Sequence, residues 1–187
     1  MKIQIIILST LILLLCSCRK ELEYPPQDET GHVTFMVESI SRNSQEGDFQ
    51  DGDAIGIFAI EPITGVYWAT NNKYVYDGNK FKPATEEDDI VVTKGTDFDF
   101  YVYYPYDPNQ NDITNISHVC IDQDTKSGWV SSDFMTATYT DAIIDYSIPL
   151  QFKHNYATVE VHVNKNDGVT AATLKNVKYS SRINLLT

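Results

Sequence analysis

The residues with chemistry to offer are few and scattered. Cys16 and Cys18 stand two positions apart, a spacing open to a metal pair or a disulfide. A metal site needs further ligands. The third thiol, Cys120, and the four histidines, His32, His118, His154 and His162, fall at no ligand spacing. Asp97 and Asp99 share one face of an extended segment, as acid–base work would require, with no second partner in view. Asp107, Asn109 and Asn111 alternate oxygens as a calcium loop does, but the sixth and twelfth positions, Gly and Glu in an EF-hand, are Asp112 and His118. The acidic run 86–89 could attract a cation and equally reads as a solvated loop. Tyr101, Tyr103, Tyr104 and Tyr106 could stack on a sugar ring or fill a core. No G-x-S-x-G, P-loop or H-E-x-x-H stretch occurs. The reading is of a protein that is not an enzyme, with no catalytic residues, no cofactor and no metal.

The cysteine pair makes more sense with its surroundings. Residues 3–15 are apolar except for Gln4, Ser9 and Thr10, and Lys2 precedes them. The run is shorter than the ~20 residues that span a bilayer, and its positive start and small-residue end are those of a secretory signal peptide. Leu15-Cys16-Ser17-Cys18 resembles a bacterial lipobox, with an aliphatic residue at −3 and a small one at −1. That resemblance implies cleavage before Cys18 and acylation of Cys18. Residues 1–17 are thus expected to be a lipoprotein signal peptide, and 18–30 a tether that Pro25-Pro26 stiffens and charges keep solvated. Cys120 is then the one other thiol, which argues against a disulfide framework.

The chain carries 14 Lys and Arg against 26 Asp and Glu, a net charge of −12. Losing residues 1–17 removes Lys2 and no acid, which makes it −13. Such a balance disfavours nucleic acid and bare anionic lipid as partners. Any hold on a membrane would come from lipid on Cys18, not from a basic patch. Cys18 to Thr187 is one domain's worth of chain, and 12 Tyr and 8 Phe supply a core.

The elements that must position these residues read as strands. Val33, Phe35 and Val37 alternate with Thr34, Met36 and Glu38 across 32–39, a period of two that buries one face. Residues 53–60, DAIGIFAI, are nearly continuous in apolar character, as in a strand covered on both faces. Asp77-Gly78 predicts a tight turn between extended arms. Phe98, Phe100, Val102 and Tyr104 fall on one face of the next segment and Asp97, Asp99, Tyr101 and Tyr103 on the other, with Pro105 and Pro108 ending it. Residues 118–124 read as a short strand. Ile148, Leu150 and Phe152, then Val159, Val161 and Val163, point inward, and a further strand is expected from 172. One stretch, 127–140, reads as a short helix or irregular loop. Many short strands with turn residues between them predict an all-β antiparallel sandwich over 31–187.

Four segments carry a family likeness. F-x-x-G-D-x-I-G-I-F (49–58), Y-x-Y-D-G-x-x-F (74–81), F-Y-x-Y-Y-P-Y (100–106) and L-x-F-x-H (150–154), in this order behind a lipobox, resemble the fimbrillin-like lipoproteins of Bacteroidetes, subunits and anchors of type V pili. The likeness covers about 31–180. It implies a transthyretin-like N-terminal sandwich domain, a lipid-anchored outer-membrane precursor, and a cell-surface fimbrium that supports adhesion. It implies partners that are other fimbrillin-like subunits, joined by strand exchange after cleavage at an arginine. Arg42, after the strand 32–39, is the candidate processing site. A second sandwich domain follows in family members. This chain has room for one, so it reads either as a fragment or as a member without the second. The alternative is a glycan- or ligand-binding surface lipoprotein, for which Trp68 and Trp129 would be the stacking platforms.

Overall fold

The computed structural model describes residues 29–41, 49–119, 132–141, 143, 145–156, 168 and 180–187. Among them lie eleven strands: β1 (Thr30–His32), β2 (Thr34–Ser41), β3 (Ala54–Glu61), β4 (Val66–Tyr76), β5 (Phe81–Pro83), β6 (Val91–Thr93), β7 (Asp99–Tyr104), β8 (Ile116–Val119), β9 (Met135–Tyr139), β10 (Ser147–His154) and β11 (Ser180–Ile183). The described residues contain no helix. The stretch 127–140 departs from its expectation at its far end. Met135 and Ala137 alternate inward there, and β9 pairs with β7 from Tyr104↔Met135 to Phe100↔Tyr139.

Seven strands close into a barrel in the order β10-β2-β5-β4-β3-β7-β9. All neighbours run antiparallel except β2 and β10, which are parallel. The expected all-β, mainly antiparallel class holds. The architecture differs from the expected sandwich, because hydrogen bonding runs all the way round the ring. A second layer nevertheless exists on one side. The two-stranded sheet β11-β8 covers the outer face of β3 and β7, where Phe58, Tyr103, Ile113, Ile116, Phe134 and Leu185 form a separate buried cluster.

That second layer explains the unbroken apolar run in β3. Ile55, Ile57 and Ala59 point into the barrel, while Phe58 points out under the covering sheet. In β7 the expected division also holds, with Phe100, Val102 and Tyr104 inward. Tyr103, on the outward face, is just as buried, because the second layer lies over it. In β10, Ile148, Leu150 and Phe152 alternate inward with exposed Pro149, Gln151 and Lys153.

The barrel is filled with rings. Phe49, just ahead of β3, lies 4.9–6.0 Å from the rings of Phe152, Phe81, Tyr104 and Tyr76. Gly52 follows at φ +92°, a left-handed turn that an L side chain resists. Its N–H bonds the Tyr76 carbonyl at 2.9 Å, and Tyr76 N–H returns a bond to Asp53 at 2.8 Å. The Asp77-Gly78 turn is held by the Asp77 carboxylate, which accepts from the N–H groups of Asn79 and Lys80 and pairs with Lys82 at 2.6 Å.

Under the second layer, Tyr103 is a fixed hub. Its hydroxyl donates to Asn71 Oδ1 at 2.6 Å and lies 3.0 Å from the Asp107 carbonyl, while Asp107 N–H donates back to it at 3.2 Å. Asn71 adopts φ +58°, within reach of an Asn. Burial pushes the Tyr103 phenol well above its usual range, so it stays protonated as a donor. The ring packs against Gly56. A Cβ there would sit 2.2 Å from the ring and 2.6 Å from Asn71 Oδ1. Gly56→Ala should therefore destabilise the domain by about 1–3 kcal/mol, the cost of overpacking a fixed neighbour. Urea unfolding checks this, and an unchanged midpoint would mean that the ring moves freely.

Candidate assembly site

The site is built around β2. Its sequence alternates from Val33, the residue just before it, so Val33 and Phe35 are fully buried while Met36 is exposed, and Val37 and Ile40 are half-buried against the core. Phe35 makes edge-to-face contacts with Tyr74 at 5.1 Å and Phe100 at 5.3 Å. These are rings from the two strands that flank β3.

The two flanks of β2 are unequal. Along β10 the register runs from Ser147↔Thr34 to Lys153↔Ser41, with a slip between Leu150 and Gln151 that leaves Glu38 without an opposite residue. Gln151 then reaches Glu38 across the ladder at 2.9 Å. Along β5 the register is the single pair Phe35↔Phe81. β2 is thus a wedge, held by one parallel ladder and by its buried side chains.

A clasp secures the entry to this wedge. Tyr146, just before β10, packs its ring against Gly31, where an added Cβ would overlap the ring. The Tyr146 hydroxyl donates to the Glu29 carbonyl at 2.6 Å, and the Tyr146 carbonyl accepts from Thr34 N–H at 2.8 Å. β1 pairs with β6, and Val33 N–H donates to Ile90 at 2.9 Å. At its far end β2 finishes at Ser41, directly before Arg42.

The residues singled out by type and spacing are dispersed. Cys18, Arg42, Cys120, Trp129, Val159, Val161, Val163 and the strand expected from 172 lie outside the described residues, apart from its last residues in β11. In the acidic run, Asp88 accepts from Lys73 N–H at 2.7 Å and from the Thr85 hydroxyl at 2.9 Å, and Asp89 faces His32. In 107–112 the Asp107 carboxylate is taken up by Asn109 and Gln110, and buried Gln110 also bonds Ser117 in β8. Asp97 is exposed, and Asp99 is half-buried beside Tyr101. Of the four tyrosines, Tyr103 and Tyr104 are core residues and Tyr106 lies beneath Lys73. His154, at the end of β10, bonds Asp133 at 2.6 Å. Among the described residues, no group of three or more His, Cys, Asp or Glu is placed to hold a metal.

One of the four histidines has surroundings of which its sequence context gave no sign. His118, in β8, stacks on Phe134 with ring centroids 4.9 Å apart and planes 6° from parallel, and Tyr156 lies 5.7 Å away. Its Nε2 is buried with no hydrogen-bond partner. Burial lowers its pKa, against opposing pulls from the Ser132 backbone, Asp133 and Asp107.

A family model described as fimbrillin-like matches residues 41–187. No curated protein matches the chain. Among crystal structures, the chain is similar to a candidate cell adhesion protein from Bacteroides ovatus, at 20% identity over 66% of this chain and 51% of that one, with a TM-score of 0.48. A candidate cell adhesion protein from Bacteroides uniformis shares 20% identity over 70% of this chain and 49% of that one, at 0.47. A fimbrial protein from Bacteroides ovatus shares 21% over 65% and 27%, at 0.42. The chain spans about half the length of the first two.

His118 sets a pH dependence. With its folded pKa below the unfolded value of about 6.5, the unfolded state binds more protons as the pH falls past that point. Stability should be full above about pH 6.5 and decline below it. His118→Phe, which keeps the stack, should flatten that decline. Denaturant midpoints between pH 5 and 8 check this, and the same slope in both proteins would contradict it.

Proposed function

The chain belongs to the fimbrillin-like family, and on that premise we propose that it is a structural cell-surface protein, a subunit or anchor of a type V fimbria that assembles by strand exchange. The carrying observation is the condition of β2. It fills the barrel wall with buried Phe35, has one full ladder and one single-pair flank, and is followed at once by Arg42. Cutting after Arg42 would free the segment that includes Val33 and Phe35. Each such side chain contributes about 1.5–3 kcal/mol by burial. The vacated groove would present the edge of β10 and an apolar floor, the requirements for adding an extended strand from another subunit. Phe49 lies beyond the cut and would stay in place as part of that floor.

Anchoring follows the same logic in reverse. Lipid on Cys18, with cleavage of residues 1–17 and a tether over 18–30, would hold the chain to the outer membrane through the covalent connection that a cut at Arg42 destroys. A polymerising subunit is cut; an anchor is not. No enzymatic role is proposed.

Mass spectrometry of the protein in assembled cell-surface material tests this reading. A mature N-terminus at Asn43 is expected for a polymerising subunit, and an acylated Cys18 with an intact 41–43 segment for an anchor. Soluble monomer alone, with neither feature, would overturn it.

A further inference from the structure

Large apolar side chains gather at one end of the barrel. β3 runs opposite to β4 and β7, β9 opposite to β7 and β10, and β2 parallel to β10. The β3–β4 turn and the starts of β2, β7 and β10 therefore share an end. There Ile63 is 86% exposed, with Val66 and Tyr67 beside it in sequence and Trp68 56% exposed.

This tip has its polar groups satisfied internally. Glu61 spends both carboxylate oxygens inside the turn, accepting from the N–H groups of Ile63 and Thr64 and from the Thr64 hydroxyl. The Trp68 indole N–H donates to the Val91 carbonyl at 3.1 Å, and its ring lies 5.6 Å from that of Phe98. The exposed part of the indole is therefore hydrocarbon. Trp and Tyr beside an exposed aliphatic residue is the pattern of side chains seated at a membrane–water boundary.

β6 links this patch to the place where the chain leaves toward its N-terminus. Val91 holds Trp68, and Lys94, three residues on, bonds the Glu29 carbonyl at 2.8 Å. Three strand residues cover ~10 Å. The segment from Glu29 back to Cys18 reaches at most ~40 Å. A lipid on Cys18 thus leaves this end of the barrel within reach of a bilayer.

We propose that the β3–β4 turn, with Ile63, Val66, Tyr67 and Trp68, is a docking surface for a lipid bilayer, seated beside the anchor. This deepens the anchor reading above and rests on it. The acidic chain disfavours anionic surfaces, so the surface suited is zwitterionic. Docking of this kind would fix the barrel's orientation, with its opposite end pointing away from the membrane.

The test uses the full acylated chain carrying Trp129→Phe, so that Trp68 is its one tryptophan. It is mixed with phosphatidylcholine vesicles whose acyl chains are brominated. Flotation with vesicles and an acyl mass on Cys18 report the anchor, and quenching of Trp68 reports docking. The expected result is flotation with loss of most Trp68 emission. Adding Ile63→Asp, at an exposed position, should restore the emission while flotation persists. Flotation with unquenched Trp68 would overturn the docking surface alone. Absence of acylation and flotation would overturn the anchor and the docking surface with it. Self-association without vesicles that Ile63→Asp abolishes, together with unquenched Trp68 on vesicles, would assign the patch to a second copy and also overturn the proposal.

Discussion

The parallel ladder between β2 and β10 is the contact on which the closure of the barrel depends. Every other junction in the ring is antiparallel. Antiparallel neighbours can be joined by short turns, whereas a parallel pair needs a long crossover. Here the two partners are the first and last strands of the ring in sequence, separated by most of the described chain. The strand that closes the barrel is therefore the one nearest the N-terminus, and it can leave without unthreading any other strand. Its grip comes from Phe35 among the rings of Tyr74 and Phe100 and from the clasp of Tyr146 on Gly31.

The remaining wall has its own supports. Phe49 ties the ring stack at one side of the core, while Tyr103, Asn71 and Gly56 lock β3, β4 and β7 together under the second layer. Neither support involves β2. A division between a locked half and a removable strand is what exchange requires, since stability is distributed unevenly among cooperative units. Asp88 and Asp107 belong to this scaffold, because their carboxylates accept from backbone and amide groups around them.

Much of this was legible in the sequence where side-chain period and burial coincide. Val33 and Phe35 in the segment 32–39 and Ile148, Leu150 and Phe152 in β10 follow from period two, and the two-sided burial of β3 follows from its unbroken apolar run. The turns at Gly52 and Gly78 follow from the need for positive φ. Closure of the ring was not legible, because strand pairing is set by register between distant segments. Nor was β9 legible: MTATY is polar enough to pass for a loop until Met135 and Ala137 find the barrel interior. The stacking of His118 on Phe134 depends on the second layer, and a lone histidine in sequence gives no sign of it. The likeness of four ordered segments named the family that the match over 41–187 shows.

The central claim is that β2 alone closes a barrel whose other strands stand without it. Amide hydrogen exchange on the chain cut between Arg42 and Asn43, with the N-terminal piece removed, tests it directly. The account predicts that amides of β10 lose protection along the former ladder from Ile148 to Lys153, while those of β3, β4 and β7 keep theirs. Unchanged protection in β10, or equal loss throughout the barrel, would contradict it.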